Sequence, residues 1–254
     1  MLLSILAAFF FAPTLWSDDY SHCFMPGESS EYKISWMKIP LAWSKTTVSE
    51  VERDGQNLIQ IRMISRNYKA YSMIYRVDDL SEVLIDPKTA LPVRLEIHIR
   101  EGSRESHFLT YFQHEKGFAI TKNLLTDEVT STPIQKNTRD IYTLVYAMRN
   151  LSIDQLTQQT RTVFVEGKLY NLKLKKGAKK KIRIADYGAV PCVEIEPEAE
   201  FDGFFIRKGK IDFWVSEQQP RMITCIKTKV SVGKITVKLQ KVSFPKKTSW
   251  TKKK

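Results

Sequence analysis

Four carboxylates lie within one short stretch of the chain, YRVDDLSEVLID, which covers residues 75–86. They are Asp78, Asp79, Glu82 and Asp86. Two acids held about 5–9.5 Å apart in a cleft can act as a general acid and a general base. Asp78 and Asp79 are adjacent, however, and adjacent residues of a strand point to opposite faces. The stretch also lacks the glycine and the further oxygen ligands of a calcium loop.

The same acids suit a structural role. Asp78 or Asp79 can cap a turn or a short helix that begins at Leu80, and Arg76 or Arg94 can supply an ion-pair partner. We therefore interpret the stretch as a turn with an ion pair. The candidates for a polar site are Asp78, Asp79, Arg94 and Arg221.

Motifs for other chemistry are absent from the sequence. His98, His107 and His114 fall on two neighbouring predicted strands, which would allow a metal site, but their spacing matches no ligand motif. No GxSxG elbow or SxxK motif marks a serine nucleophile. We predict no catalytic residue, no metal, no cofactor and no enzymatic activity.

Cys192 and Cys225 leave two interpretations open. Each lies mid-strand in a region whose pattern is antiparallel, so in an oxidising compartment the two thiols can pair. The alternative is two separate buried thiols. Cys23 is the third cysteine, and no Cys/His spacing indicates zinc.

Apolar residues follow a period of two along most of the chain. In VRLEIHIR (93–100), apolar residues alternate with charged or polar ones, and such a strand buries one face and exposes the other. The pattern recurs in YKISW (32–36), LIQIRM (58–63), HFLTYF (107–112), YNLKL (170–174), KIRI (181–184), VEIE (193–196), IDFWV (211–215) and ITVKL (235–239). Turn signals separate these runs, at Asp54-Gly55, Asp86-Pro87, Glu101-Gly102, Lys116-Gly117, Lys176-Gly177, Lys208-Gly209 and Val232-Gly233. The spacing predicts an antiparallel meander.

One segment, NTRDIYTLVYAMRNLS (137–152), departs from this period. Its apolar residues Ile141, Leu144, Val145 and Met148 recur at i, i+3, i+4 and i+7, which predicts an amphipathic helix over about 139–151. Thr138 or Asp140 can cap its start. The predicted fold is therefore mainly β: a curved antiparallel sheet, or an open β-barrel or sandwich, with one amphipathic helix packed onto or into it.

The two ends of the chain differ from its middle. Residues 1–17 carry no charge and contain an apolar run from Leu2 to Ala12, which is too short to span a bilayer and is typical of a signal peptide. A buried N-terminal strand or helix is the alternative. We expect a single β-rich domain over 25–245 and a disordered basic tail over 246–254.

Positive charge is concentrated in KLKKGAKKK (173–181) and KKTSWTKKK (246–254). These segments hold six and five lysines and no acid, so they carry most of the formal net charge of +12. Lys-Gly-Ala is predicted to form a hairpin turn, whose candidate contacts with anionic lipid headgroups are Lys175, Lys176, Lys179, Lys180 and Lys181. Solvated edge protection is the alternative. Nucleic acid is not expected, because neither exposed aromatics nor a recognised module is present.

Six blocks of sequence occur in an order that resembles a known family. They are GESSEYKISWMKIPLAW (27–43), IYRVDDLSEVLIDPKTALPVRLE (74–96), REG (100–102), DIYTLVYAMRNL (140–151), EGKLYNLKL (166–174) and FIRKGKIDFWVSEQQPRMI (205–223). Together they resemble the bacterial exported family called domain of unknown function 3108. The resemblance implies a β-rich, signal-bearing protein of the periplasm or cell envelope of a Gram-negative-type bacterium. It implies no established reaction and no catalytic residues.

Two functional hypotheses follow. In the first, the chain binds an apolar or amphipathic envelope molecule within its curved sheet, and the candidate ligand-binding residues are Tyr32, Trp36, Phe108, Phe112, Tyr142, Tyr146 and Trp214. In the second, it is an interaction or scaffolding module that contacts anionic lipid or an acidic partner through the lysine hairpin over 173–181. The oligomeric state is left open.

Overall fold

The computed structural model describes residues 23–71, 75–198, 211–230 and 233–252. The expected signal peptide over 1–17 and the expected turn at Lys208-Gly209 lie outside these residues. The strands are β1 Ser29–Trp36, β2 Ile39–Arg53, β3 Gln56–Asn67, β4 Asp78–Ile85, β5 Pro92–Glu101, β6 Arg104–Gln113, β7 Phe118–Asn123, β8 Val129–Pro133, β9 Arg139–Asp140, β10 Arg161–Val165, β11 Lys168–Ile184, β12 Gly188–Glu198, β13 Ile211–Ser216, β14 Ile223–Lys229 and β15 Lys234–Ser243. The α-helices are α1 Ile141–Ala147 and α2 Ile153–Thr157, and 3-10 turns occur at Lys69–Tyr71, His114–Lys116 and Met148–Asn150.

All of these strands belong to one sheet, in the order β8-β7-β6-β5-β4-β3-β2-β1-β15-β14-β13-β12-β11-β10-β9. Strands that are consecutive in the sequence are mostly neighbours in the sheet, and the pairing of β1 with β15 joins the two halves of the meander. Only the short pair β9–β10 is parallel within the described strands. The two ends of the order are not hydrogen-bonded to each other as strands, so the sheet is open. The prediction of a mainly β fold with a curved antiparallel sheet is confirmed.

The sheet curls until its two ends approach each other. Thr132 on β8 donates a hydrogen bond to the carbonyl of Gly167 in the β10–β11 turn, at 2.5 Å. Arg139 on β9 donates to the carbonyl of Ala90, which lies before β5. Contacts of side chains, rather than a ladder of strand hydrogen bonds, therefore bring the sheet to a barrel-like shape.

Helix α1 lies on one face of the sheet, which we call the inner face. A row of successive cross-strand partners on this face is Ser30, Thr46, Met63, Ser81, Ile97 and Phe108. The hydroxyl of Tyr142, on α1, donates to Ser81 Oγ at 2.7 Å. Since side chains alternate between faces, every second residue of each strand can be assigned to the inner face from this register.

Helix α1 lies where the sequence predicted a helix, but it covers only Ile141–Ala147 of the predicted 139–151. Asp140 caps α1 by accepting hydrogen bonds from the backbone of Tyr142 and Thr143. A second helix, α2, follows and begins with a capping box formed by Ser152 and Gln155, which the sequence interpretation missed. Neither helix, nor any other in the described part of the chain, is long and apolar enough to span a membrane.

The predicted hairpin at Lys176-Gly177 is wrong. Strand β11 runs without a turn from Lys168 to Ile184, and its register with β12 only shifts between Lys176 and Lys179, as in a β-bulge. Gly177 fits here because a Cβ at its position would lie 2.9 Å from the Glu194 carboxylate. The lysines therefore follow the length of a strand instead of crowning a hairpin tip.

The bulge also turns the apolar residues of β11 to opposite faces. Leu172 and Leu174 pack in a cluster with Val193, whereas Ile182 and Ile184 pack in another with Cys192. Val193 and Cys192 are adjacent on β12 and so point to opposite faces. One strand thus contributes to two separate cores.

The expected disorder of the tail over 246–254 is wrong for the part near Trp250. The Trp250 side chain is buried, makes an edge contact with the Tyr187 ring at 5.1 Å, and donates from Nε1 to the Pro220 carbonyl at 2.9 Å. Ser249 donates to the Gln219 carbonyl at 2.7 Å. A large aromatic side chain in an otherwise basic segment provides enough apolar area to hold the tail against the sheet.

A candidate ligand-binding face

Apolar side chains cross the inner face in two parallel rows. In the first, Phe213, Ile226, Val237, Ile34 and Ala42 are successive cross-strand partners on β13, β14, β15, β1 and β2. The second row lies two residues away on β13, β14, β15 and β1, and three residues away on β2, where the register shifts. Its successive partners are Ile211, Thr228, Ile235, Trp36 and Ile39. Phe213 packs against the cluster that contains residues of α1 and α2, so both rows lie on the inner face.

These side chains are incompletely covered. Seven of them are half-buried, and we call this set the inner apolar wall: Ile34, Trp36, Ile211, Phe213, Ile226, Ile235 and Val237. Elsewhere on the inner face the packing is close, as where Phe112 meets the ring of Phe164 at 5.1 Å and both are buried. The helices therefore cover one part of the inner face more completely than the inner apolar wall, whose side chains keep a partial exposure. A concave apolar surface of this kind suits the apolar part of a ligand.

A row of polar side chains adjoins the inner apolar wall. Tyr32, Ser44, Ser65 and Asp79 are successive cross-strand partners on β1 to β4. Ser65 donates to Ser44 at 3.1 Å, and both serines are buried. We call Ser44, Ser65 and Asp79 the inner polar wall. The inner face thus has an apolar side and a polar side, as an amphipathic ligand would require.

Asp79 is a half-buried carboxylate on this face. Its Oδ1 accepts a hydrogen bond from the backbone N–H of Arg100 at 3.0 Å. Burial raises the pKa of Asp79, and the nearby charge of Asp78 adds to the increase, while the Arg100 hydrogen bond and the charge of Arg66 oppose it. The environment therefore disfavours the charged form of this acid.

Asp78 lies on the outer face of the same strand and is surrounded by arginines. Its carboxylate is 2.7 Å from Arg66, 3.2 Å from Arg76 and 3.4 Å from Arg100. Burial acts to raise the pKa of Asp78, but the Arg76 hydrogen bond and the other two arginines outweigh it and lower that pKa. The predicted placement of the two acids on opposite faces is confirmed. The predicted cap of a turn or helix at Leu80 is wrong, because β4 begins at Asp78.

Arg94 belongs to a charged network on the outer face. It pairs with Glu82 at 3.3 Å and also with Glu96. His107 lies 2.9 Å from Glu96 and stacks on His98 with ring centroids 4.2 Å apart. His114 is elsewhere, where its ring nitrogen binds the Pro92 carbonyl. The three histidines therefore do not converge on a common point.

The structure divides the predicted aromatic residues into three groups. Tyr32, Trp36 and Phe108 are half-buried on the inner face, and Tyr142 lies above it on α1. Phe112 and Tyr146 also face inward but are buried, with Tyr146 stacked on Phe24 at 5.6 Å. Trp214 is the exception, and its assignment to the ligand-contacting wall is wrong. It is paired with Glu194 and Cys225 on the outer face, and Lys180 Nζ lies 3.3 Å from its ring centroid.

A buried ion pair was missed at the sequence level. Arg149 Nη1 lies 3.0 Å from Glu28 Oε2, and both side chains are at least 96% buried. The guanidinium also lies 4.6 Å from the ring centroid of Tyr146. Burial raises the pKa of Glu28, against the opposing charge of Arg149. The signal was available in the helix, since Tyr142, Tyr146 and Arg149 recur at i, i+4 and i+7 on one side.

Arg221 has a structural position beside this pair. Its guanidinium donates to the carbonyls of Leu151 and Ser216, at 2.6 Å and 3.1 Å. Its backbone N–H donates to the Arg149 carbonyl at 2.9 Å. Arg221 therefore ties the β13–β14 connection to the end of the helical segment.

The predicted lysine contacts are largely engaged within the chain. Lys176 pairs with Asp154 at 2.9 Å, and Lys179 with Glu217 at 2.8 Å. Lys180 covers Trp214, while Lys175 and Lys181 are opposite Glu196 and Pro191 across the β11–β12 ladder. The bulge in β11 spreads these lysines over both faces of the sheet.

The thiols of Cys192 and Cys225 are separate and buried. Cys192 Sγ lies 3.1 Å from Thr224 Oγ1. Burial raises the pKa of both thiols. Of the two interpretations open at the sequence level, this structure has the separate thiols.

Three carboxylates approach one another on the outer face of β12 and β13. Glu194, Glu196 and Asp212 place oxygens within 4.8 Å of one another. Lysines stand opposite two of them, Lys175 across from Glu196 and Lys227 across from Asp212. Positively charged residues of the neighbouring strands thus lie across from two of the three acids.

Comparison with solved structures finds a similar fold. The chain resembles a β-barrel-like protein of domain of unknown function DUF1849 from Brucella abortus, with a TM-score of 0.56 over 88% of this chain and 100% of that one. The two sequences are only 8% identical, so the likeness concerns the fold alone. Among curated proteins, none shows significant similarity to the sequence.

Comparison with protein families confirms the resemblance seen in the sequence blocks. Residues 31–240 match the family described as Protein of unknown function (DUF3108). The matched region includes strands β2 to β14, most of β1 and β15, both helices and the two inner walls. Because the match extends over most of its length, the chain belongs to this family of unknown function, DUF3108.

Proposed function

We propose that this protein is an exported, non-enzymatic binding protein that holds an apolar or amphipathic molecule of the cell envelope on the inner face of its sheet. The observation that carries the proposal is the inner apolar wall. Its seven side chains face inward yet are only half-buried, and the inner polar wall lies beside them. Export is supported by the apolar run at Leu2–Ala12 and its likeness to a signal peptide.

The energetics favour a ligand with a hydrocarbon part. Removing apolar surface from water contributes about 0.8 kcal/mol for each buried CH₂ group. A chain laid across β13, β14, β15 and β1 would contact Phe213, Ile226, Val237 and Ile34 in turn. The polar end of the same molecule would then lie near Ser44, Ser65 and Asp79. The inner apolar wall and the inner polar wall together favour an amphipathic molecule over a purely apolar one, whereas neither wall does so by itself.

The alternative, contact with an anionic surface through the lysines of β11, has less support. Lys176 and Lys179 already have acidic partners, and Lys180 lies over Trp214. These interactions leave a weaker and more scattered positive surface than a hairpin tip would present.

Binding of N-phenylnaphthylamine, an apolar dye whose fluorescence increases in apolar surroundings, tests the proposal. We expect saturable binding to the full chain. Ile235→Gln, which places an amide on the inner apolar wall, should weaken binding by about tenfold, since a buried polar group without a partner costs about 1–3 kcal/mol. Thr236→Gln is the matched control, because Thr236 is the next residue of β15 and faces outward.

Dye binding by the two variants decides whether the inner apolar wall is the binding surface. Loss of dye binding in Ile235→Gln with retention in Thr236→Gln supports the proposal. Equal binding by both variants, or no saturable binding by the unmodified chain, overturns it. Where the proposal is supported, mass spectrometry of lipid extracted from the purified protein would identify the natural ligand.

A further inference from the structure

Exposed apolar side chains are concentrated at one end of the sheet. Because consecutive strands are antiparallel, the connections β1–β2, β3–β4, β5–β6, β7–β8 and β14–β15 all lie at the same end. Eight large apolar side chains are exposed among the described residues, and only Tyr111, on β6, lies away from these connections. The other seven lie in or next to them: Met37, Ile39, Tyr68, Tyr75, Leu125, Val129 and Val230. The described connections at the opposite end have none.

Three of these connections adjoin one another. The backbone N–H of Met37, in the β1–β2 connection, donates to the Lys234 carbonyl at 2.9 Å. The Met37 side chain also lies against the β14–β15 connection, since a Cβ at Gly233 would be 2.6 Å from its sulfur. The start of the β3–β4 connection is next, because the N–H of Tyr68 donates to the Leu41 carbonyl at 3.0 Å. The exposed apolar side chains of the three connections therefore form one surface.

Lysines surround this surface. Four segments contribute to it, and they hold five basic residues and no acid: 36–41, 66–71, 228–230 and 233–235. Arg66 pairs with Asp78 at 2.7 Å, which leaves four lysines, all of them exposed. Asp127 and Glu128, in the β7–β8 connection, lie several strands away in the sheet order. We call the following set the basic rim: Met37, Lys38, Ile39, Tyr68, Lys69, Lys229, Val230 and Lys234.

Two features of the basic rim work against the stability of the fold. Lys229 and Lys234 are direct cross-strand partners, and like charges in such a pair repel each other. Met37 and Lys38 form a two-residue hairpin connection with φ of 47° and 75°, for which Asn-Gly is the preferred pair. Residues that strain the backbone or repel each other at an exposed position point to a role in binding.

An anionic membrane surface fits this composition. Apolar side chains flanked by lysines can enter the boundary between headgroups and acyl chains, while the ammonium groups stay beside the lipid phosphates. A second copy of the chain fits less well, because a two-fold contact would bring the lysines of two rims together. The inner apolar wall also reaches the basic rim, since its residues Trp36 and Ile235 are cross-strand partners directly next to Met37 and Lys234.

We infer that the basic rim docks on the surface of an anionic lipid bilayer, with Met37, Ile39 and Val230 at the acyl boundary and the lysines at the headgroup phosphates. The inference goes beyond the proposed function, because it concerns a membrane surface and requires no ligand on the inner face. Together with the proposed function, it places one end of the inner apolar wall beside the bilayer from which an apolar ligand would come.

Co-sedimentation with lipid vesicles at low salt tests the inference. We expect the full chain to bind phosphatidylcholine vesicles with about one third phosphatidylglycerol at least about thirtyfold more tightly than vesicles of phosphatidylcholine alone. Lys229→Gln/Lys234→Gln should lower this ratio by about tenfold, since each lysine near an anionic surface contributes about fivefold. Lys88→Gln/Lys116→Gln is the matched control, because it removes the same charge from exposed connections at the opposite end. It should lower the ratio by less than about threefold.

A second variant tests the connection at Met37 and Lys38. Met37→Asn/Lys38→Gly introduces the preferred pair and removes one apolar side chain and one charge. It should unfold at the same or a higher temperature by circular dichroism, yet bind the anionic vesicles about tenfold more weakly. Binding of N-phenylnaphthylamine should be unchanged, because neither residue belongs to the inner apolar wall. A purely structural role for this connection would not give that combination.

Equal losses in the two double lysine variants overturn the inference, because binding would then follow the net charge of +12 rather than the basic rim. Unchanged vesicle binding by Met37→Asn/Lys38→Gly also overturns it. So does a dimer of the unmodified chain that this variant loses, which would place a second copy on the basic rim. Vesicle binding without any dye binding overturns the proposed function alone and leaves the docking surface standing.

Discussion

Arg149 and Glu28, which are 121 residues apart in the sequence, form an ion pair that is almost fully buried, with 3.0 Å between Nη1 and Oε2. Arg149 also donates from Nε to the Arg221 carbonyl at 3.2 Å. The pair thus connects three distant parts of the chain: the start of the described N-terminal segment, the end of the helical segment, and the β13–β14 connection.

Removal of one partner from this pair should destabilise the fold strongly. We expect Arg149→Met to lower the free energy of unfolding by about 3–5 kcal/mol, because it leaves the Glu28 carboxylate buried and uncompensated. Urea denaturation monitored by circular dichroism measures the effect. The double variant Glu28→Gln/Arg149→Met should recover part of the loss, since the buried charge is then gone. A loss below about 0.5 kcal/mol in Arg149→Met, as for an exposed ion pair, would contradict this expectation.

Asp78 and Asp79 should show opposite pH dependence. The folded-state pKa of Asp79 is raised, so its contribution to stability is fully present below its unfolded pKa and is lost as pH rises through the folded value. Asp79→Asn should therefore become more stable relative to the unmodified chain as pH increases from about 4 to 7, by about 1.4 kcal/mol for each unit of pKa difference. The charged or titratable groups near Asp79 are Arg66, Tyr75, Asp78, His98, Arg100, Glu101 and Tyr142.

The sign is reversed for Asp78. Its folded-state pKa is lowered, so its stabilising contribution is present above its unfolded pKa and is lost as pH falls through the folded value. Asp78→Asn should be less stable than the unmodified chain at pH about 7 and should approach it at low pH. Urea unfolding of both variants across this pH range gives the two slopes, and slopes of the same sign would be inconsistent with the two environments.

Lys180 should contribute to stability through Trp214 rather than through charge on the surface. Its ammonium lies 3.3 Å from the centroid of the Trp214 ring. We expect Lys180→Ala to lower the free energy of unfolding by about 0.5–1 kcal/mol, the usual range for a cation–π contact that is partly exposed. Lys181→Ala, one residue further along β11, is the control and should have no measurable effect. Equal effects of the two substitutions would argue against the cation–π contact.

Trp250 should anchor the basic tail. Trp250→Ala removes a buried ring that contacts Tyr187 and the hydrogen bond to the Pro220 carbonyl. We expect a loss of about 3 kcal/mol or more in the free energy of unfolding, as for other buried aromatic residues. Thermal unfolding measures it, with Thr251→Ala as the exposed control. Limited proteolysis provides an independent check, since the tail of Trp250→Ala should be cleaved faster.

Residues of the candidate site were only partly predictable. The alternation in YKISW correctly placed Tyr32 and Trp36 on one face of a strand, and both contribute to the inner face. The same alternation in IDFWV separated Trp214 from Phe213, but it could not say which of the two pointed inward. That choice depends on where α1 and α2 pack, which is decided by contacts between residues far apart in the chain.

Local sequence determined the strands with clear alternation, such as β1, β3, β5, β6, β12, β13 and β15, most of the turns, the helix around 141–147, and the opposite orientation of Asp78 and Asp79. These features follow from side-chain periodicity and from backbone preferences over a few residues. Tertiary structure alone decided the continuous β11 with its bulge at Gly177, the buried pair of Arg149 and Glu28, and the half-covered inner apolar wall beside Asp79. Each of these depends on strand register and on the closing curvature of the sheet, which bring together residues that no local pattern connects.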